Sequence, residues 1–143
     1  MPKVSEMRLI DVPRKQVYKI LMDITLYPEF IPFVQKVRVV EQEGTVTVAD
    51  LKIGFGPIGF SYRCRIEETP FEEINIRDVS GPFEHLEARL TFTEKGKGLT
   101  LVGYYFSSQF RSGTMNAIAD PLFETRLKST LRGVERYIEK QKK

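Results

Sequence analysis

Along Leu86 to Phe92, apolar Leu86, Ala88, Leu90 and Phe92 alternate with Glu87, Arg89 and Thr91. A two-residue period predicts a strand with one dry and one wet face. The same pattern recurs at Ile58, Phe60, Tyr62, Cys64 and Ile66, and again at Val102, Tyr104, Phe106 and Ser108. These dry faces are mostly aromatic or bulky, so the sheet they build must be covered. The only long segment available as a cover runs from about Gly113 to Lys140. The expected architecture is therefore α+β: a curved antiparallel sheet wrapped around a long C-terminal helix, with the space between them either packed solid or left open for an apolar ligand.

The remaining elements follow from turn and helix signals. Lys3 to Ile10 reads as a first strand, and Asp11 with Pro13 as a helix start, because proline in a first turn forfeits no hydrogen bond. A short helix then places Val17, Ile20, Leu21 and Ile24 on one face, and Pro28 and Pro32 break it. Val34 to Gln42 and Thr45 to Phe55 form a hairpin about Glu43-Gly44. Gly54, Gly56, Pro57 and Gly59 make a flexible turn before the strand from Ile58 to Glu68, which is followed by strands over Glu73 to Val79, Phe83 to Glu94 and Leu99 to Phe110. In the last helix Ile118, Leu122, Leu127, Leu131, Val134 and Ile138 form one stripe at spacings of three and four, interrupted between Leu122 and Leu127. Pro121 is expected to bend that helix or start it afresh.

On this pattern Phe60, Tyr62, Leu86, Leu90, Tyr104, Phe106, Ile118 and Leu122 face the space between sheet and helix, either as plain core or as the wall of a cavity. The hydroxyls of Tyr62, Tyr104 and Ser108 reach the same face and suit the orientation of a polar head or a quinone carbonyl.

Composition narrows the class. The 143 residues are 41% hydrophobic and 29% charged, as expected of one globular domain spanning residues 1–143 with a core of its own. Cys64 is the only cysteine, so no disulfide forms within the chain and a reducing cytoplasm is the expected compartment. Met1 to Pro13 carries no apolar core of signal-peptide length, and no apolar run approaches the roughly 20 residues of a membrane span. A net charge of +3 is too mild to argue for nucleic acid or anionic lipid.

Catalytic chemistry is poorly represented. His85, the sole histidine, falls on the wet side of its strand with Glu87 and Arg89 and lacks the orienting partner a general base requires. Without a His or Cys cluster no metal site is expected. Cys64 reads as a small buried hydrophobe. The glycines from Gly54 to Gly59 lie between strands, not before a helix N-terminus, so they make a weak phosphate loop.

The order of elements resembles the helix-grip fold of the steroidogenic-acute-regulatory-related (START-like) lipid-transfer domains. Tyr27-Pro28-Glu29-Phe30-Ile31-Pro32-Phe33, Leu51 to Phe55, Ser80-Gly81-Pro82-Phe83-Glu84-His85-Leu86-Glu87, and Pro121-Leu122-Phe123 with Arg126 narrow the resemblance to the coenzyme Q-binding protein family. That family is grouped with the polyketide cyclase and dehydrase-like proteins and the bacterial ribosome-association toxins. Where the family often has Trp-Cys, this chain has Phe33-Val34, and Leu90 stands where a Trp is common; both replacements are smaller and apolar.

The resemblance implies non-catalytic binding of a hydrophobic small molecule, an isoprenoid quinone or other lipid, with no cofactor required and with peripheral contact at the inner membrane. Phe30, Phe33, Phe55 and Phe83 fall in the shared motifs and join the candidate ligand-binding residues. Tyr27, Phe30, Ile31 and Phe33 either pack beneath the sheet edge or form a lip that dips into a membrane. Arg126 is either a salt-bridge partner on the helix flank or a donor to a ligand head group. The toxin branch implies a ribosome partner as the alternative, with Arg63, Arg65, Arg89, Arg111, Lys128 and Arg132 available for RNA phosphate. A cyclase or aromatase is a third reading, and it lacks an acid/base pair.

Overall fold

A computed structural model describes residues 3–55 and 58–141, the side chain of Phe55 excepted. The predicted turn at Gly56-Pro57 therefore lies outside the described residues. The strands are β1 (Lys3–Ile10), β2 (Val34–Glu43), β3 (Val46–Phe55), β4 (Ile58–Thr69), β5 (Glu73–Ser80), β6 (Phe83–Gly96) and β7 (Leu99–Phe110). Between β1 and β2 come α1 (Arg14–Met22), a 3₁₀ turn at Ile24–Leu26 and the short α2 (Tyr27–Phe30); after β7 come α3 (Gly113–Lys128) and α4 (Thr130–Gln141).

All seven strands form one antiparallel sheet in the order β1-β7-β6-β5-β4-β3-β2. Consecutive strands from β2 to β7 are neighbours, as tight turns between antiparallel strands require, and β1 closes the series against β7 with Lys3 opposite Ser107 and Ile10 opposite Thr100. Two register shifts interrupt β2, between Val34 and Lys36 and between Val39 and Glu41. The alternation predicted for β6 holds throughout: Phe83, Leu86, Ala88, Leu90 and Phe92 are buried. Tyr62, Cys64 and Ile66 of β4 and Val102, Tyr104, Phe106 and Ser108 of β7 are buried on the same face. This curved sheet gripping a C-terminal helical segment is the helix-grip fold.

The cover departs from its predicted phase. The segment Gly113–Gln141 is 29 residues long, and its helix continues through Pro121 to break instead at Ser129. There the hydroxyls of Ser129 and Thr130 both donate to the carbonyl of Arg126, at 3.0 and 3.2 Å, which satisfies an end-of-helix carbonyl from side chains. The buried stripe is Ala119, Phe123 and Leu127 in α3, continued by Leu131, Val134 and Ile138 in α4. Ile118 and Leu122 are 51% and 36% exposed and turn to solvent, so the expectation that they face the sheet is corrected.

Tyr27, Phe30, Ile31 and Phe33 are all buried, and Pro28, Glu29 and Pro32 face out. The segment therefore packs inward and the predicted membrane lip is not formed. Tyr27 donates its hydroxyl hydrogen to the carbonyl of Leu21 at 2.6 Å, and the Phe30 ring lies 4.7 Å from that of Tyr137 in α4. This contact of α2 with α4 depends on Gly133, where a Cβ would collide with the carbonyl oxygen of Phe30. In an unhindered helix Gly→Ala stabilises by about 1 kcal/mol. At Gly133 the sign reverses: overpacking against backbone should cost Gly133→Ala about 1–3 kcal/mol, read as a lower urea midpoint with unchanged slope. A rise in the midpoint would show that α2 and α4 do not meet as described.

Candidate functional site

Between the sheet and the helices lies a small cavity of about 40 Å³ whose wall draws on nearly every element. Leu21 comes from α1, Tyr27 from α2, and Ile31, Phe33 and Val34 from the segment leading into β2. The sheet contributes Leu51, Tyr62, Ile76, Leu86, Ala88, Leu90, Tyr104 and Phe106, and α4 closes it with Thr130 and Val134. Among the described residues, no carboxylate, ammonium, guanidinium or imidazole reaches this wall.

Of the residues chosen by strand parity, Tyr62, Leu86, Leu90, Tyr104 and Phe106 lie in this wall, and Phe33, taken from the resemblance, lines it too. Phe83 lies beside it in an aromatic cluster, its ring stacked 4.6 Å from Phe110. Phe60 is 4.8 Å from Phe110 and half-buried, and Phe30 sits on the far side against Tyr137. Ile118 and Leu122 lie outside the wall, and the side chain of Phe55 is outside the described residues. Arg126 is half-buried, is not part of the wall, and donates from Nη1 to the carbonyl of Leu122 at 3.3 Å. Leu51 and Val134 were missed although each obeys its element's period, Leu51 between buried Ala49 and Ile53 and Val134 on the α4 stripe.

Hydroxyls supply all the polarity of the wall. Burial raises the Tyr62, Tyr27 and Tyr104 hydroxyls well above their ordinary range, and for Tyr104 a hydrogen bond with Thr130 opposes the shift. All three stay protonated at neutral pH, so none can act as a base; the Tyr27 hydrogen is already given to the Leu21 carbonyl, which leaves Tyr62 and Tyr104 to face a carbonyl. Ser108, two residues along β7 from Phe106, is fully buried, and its Oγ has no hydrogen-bond partner among the described residues.

Volume decides what this arrangement can hold. Ligand pockets run to ~300–1,000 Å³, so about 40 Å³ is a largely packed space, too small for a ligand-sized molecule. The side chain that fills the neighbouring volume is Phe123 of α3, whose ring lies 5.9 Å from Phe33 and 6.3 Å from both Phe106 and Phe110. Phe123 is fully buried and precedes the Ser129 break by six positions.

The profile of a family described as polyketide cyclase / dehydrase and lipid transport matches residues 10–135. The chain belongs to this family. Within the polyketide cyclase / dehydrase and lipid transport family, the coenzyme Q-binding protein COQ10 homolog B, mitochondrial, of Xenopus laevis is 25% identical over 136 residues, 92% of this chain and 56% of the frog protein. The chain thus spans little more than half of that relative. The ribosome association toxin RatA of Escherichia coli K12 is 24% identical over 110 residues, 77% of this chain and 70% of the toxin. In fold, the Zhui aromatase/cyclase from Streptomyces sp. R1128 superposes with a TM-score of 0.79 at 16% identity, covering 99% of this chain and 95% of the other. A START superfamily protein from Mycobacterium smegmatis gives 0.80 at 15% identity, covering 97% and 98%.

Away from the cavity, His85 places Nε2 3.1 Å from the Ser107 hydroxyl on the outer face. The cations considered for RNA are mostly engaged: Arg63 with Asp50 at 2.7 Å, Arg65 with Glu67 at 2.9 Å, Arg89 with Glu73 at 3.4 Å, and Lys128 with Glu124 at 4.0 Å. Arg111 donates to the carbonyl of Gly81 at 2.7 Å, and Arg132 is exposed on α4. Among the described residues no helix is long and apolar enough to cross a membrane.

Cys64, fully buried in β4, has its thiol pushed from an ordinary 9.0 up to about 12, chiefly by burial. A raised folded-state value means that the unfolded chain releases its proton first. The stability carried by this group is complete below pH 9 and is lost as pH climbs from 9 toward 12, and the buried tyrosines act in the same direction. Urea midpoints should therefore fall progressively above pH 9. At pH 8 an aromatic disulfide reagent should label Cys64 only after unfolding, and rapid labelling of the folded protein would contradict its burial.

Proposed function

We propose that the chain binds a hydrophobic small molecule between sheet and helices, an isoprenoid quinone or other lipid, and holds it without making or breaking bonds. One observation carries this reading: a wall drawn from nearly every element is apolar apart from hydroxyls that burial keeps protonated. Apolar surface stabilises a prenyl chain, at roughly 0.8 kcal/mol per buried methylene, and the Tyr104 and Tyr62 hydroxyls are available to a ring carbonyl. The name of the frog relative, a coenzyme Q-binding protein, and the family's lipid transport description support the same class of ligand. No separate cofactor is required. A polyprenyl ligand is nearly absent from water, so a cytoplasmic carrier would load it by transient contact with the inner membrane.

Ligand entry on this reading requires Phe123 to leave its place, since a space of about 40 Å³ is too small for a prenyl chain. Phe123→Ala should lower stability by about 3–5 kcal/mol yet strengthen the binding of a short-chain ubiquinone, followed by quenching of tyrosine fluorescence and by the rise in melting temperature that native-state binding imposes. Ala88→Trp, which fills the cavity, should abolish both signals while circular dichroism stays native. If the unmodified protein and Phe123→Ala both fail to bind quinones or fatty acyl probes, the carrier reading is wrong. Sedimentation with ribosomes would then favour the role named for the Escherichia coli relative.

A further inference from the structure

A second concavity, far larger than the internal one, lies on the opposite face of the sheet. It is an open groove of about 670 Å³ over β2, β3 and β4, bordered by Ser80 of β5 and Gly81. Pairing arranges its side chains in two adjacent cross-strand rows. In the first, Arg38 faces Asp50 and Asp50 faces Arg63; in the second, Lys36 faces Lys52 and Lys52 faces Ser61. All point away from the buried parity of Leu51, Ile53, Tyr62 and Cys64.

The first row is internally matched. Asp50 accepts from Nε and Nη2 of Arg63 at 2.7 and 3.1 Å and from Nη2 of Arg38 at 3.3 Å. These bonds, led by the one from Arg63, hold the Asp50 carboxyl below its usual range, so it stays ionised and fixes both guanidinium planes. One carboxylate between two guanidinium groups leaves a positive excess, and Nη1 of Arg63 is not used on Asp50.

The second row is not matched. Two lysines directly opposite on neighbouring strands repel, and neither Lys36 nor Lys52 has a carboxylate partner among the described residues. Lys52 is laid across β4 by the missing side chain of Gly59, where a Cβ would come within 2.7 Å of its Cε. Four cations against one carboxylate give this groove as much net charge as the +3 of the whole chain, and the Ser61 and Ser80 hydroxyls at its border add neutral donors. An anion bridging the two lysines removes the repulsion and completes the hydrogen bonding of the arginine edges.

We propose that this groove binds the phosphate or diphosphate group of a small molecule. Its walls and its size suit a compact anion with a modest appendage. A groove that spans β2, β3 and β4 and ends at Ser80 of β5 and Gly81 gives a long polynucleotide little surface to follow. Leu51 and Tyr62 border both this groove and the internal cavity, so a phosphorylated lipid and a water-soluble phosphate ester are two sources of the same head chemistry.

The test titrates the full chain with sodium pyrophosphate in low-salt buffer, by calorimetry and by melting temperature, against chloride at equal ionic strength. Pyrophosphate should bind and raise the melting temperature, and the affinity should fall as salt rises. The exposed-site variants Lys36→Gln and Lys52→Gln, checked by circular dichroism, should each weaken it about tenfold, the scale of one lost charge-assisted hydrogen bond. Tighter binding of farnesyl diphosphate than of pyrophosphate would identify a phosphorylated lipid as the source; equal binding would identify a free phosphate ester. The proposal is overturned if pyrophosphate gives neither heat nor a melting shift, or if Lys36→Gln combined with Lys52→Gln binds it undiminished. It is equally overturned if polyuridylate binds in the groove and pyrophosphate does not compete, which would make this an RNA surface. Because the readouts need no quinone, failure here and failure of the internal cavity to bind a ligand are separable.

Discussion

Everything in this molecule depends on covering one face of one sheet. Antiparallel strands with alternating residues satisfy their own backbone and leave a dry surface that cannot remain in water. Here the cover is the helical stripe Ala119, Phe123, Leu127, Leu131, Val134 and Ile138, assisted by α1 and by the inward-turned Tyr27–Phe33 segment. The wall of the internal cavity is where these three covers fail to meet completely. It is a property of the assembly, since no single element could have produced it.

Legibility followed from how many neighbours a feature needs. A strand's faces are set by its own two-residue period, so the buried side of β4, β6 and β7 could be read directly, and five of the cavity-lining residues with it. The phase of α3 could not be read locally, because Ile118 and Leu122 on one side and Ala119 and Phe123 on the other are equally apolar. The deciding signal lay beyond α3. Counting back in fours from Leu131 reaches Leu127, Phe123 and Ala119, an unbroken stripe that the interrupted one through Leu122 cannot match. Pro121 misled in the same way: the helix runs through it, and the interruption falls where hydroxyls of Ser129 and Thr130 take over a carbonyl.

The Tyr27–Phe33 aromatics were ambiguous for a different reason. Four apolar residues between prolines suit a membrane lip and a core plug equally well, and only the approach of α4, permitted by Gly133, decides that they turn inward. Cavity volume was beyond the sequence altogether, because it depends on whether Phe123 fills the space beside Phe33 and Phe106. The charged face behaved in the opposite way. Its residues looked scattered along the chain, and only strand register reveals that Lys36 stands against Lys52 and Arg38 against Arg63 across Asp50.

The two shifts of register in β2 bear on a separate hazard. This strand is the last in its sheet, and although Val34 donates its backbone N–H to the Ile31 carbonyl, an edge of this kind can offer its outer backbone groups to an extended chain that comes near. The shifts spoil the regular spacing of those groups on either side of Lys36 to Val39, and the second of them falls where Val39 and Val40 stand 41% and 42% exposed. Lys36 and Arg38 occupy the wet positions between the shifts, and Glu41 follows the second. A protein that exposes such an edge, and two valines on it, thereby presents a kinked and charged border, a poorer template for added strands than a flat apolar edge would be.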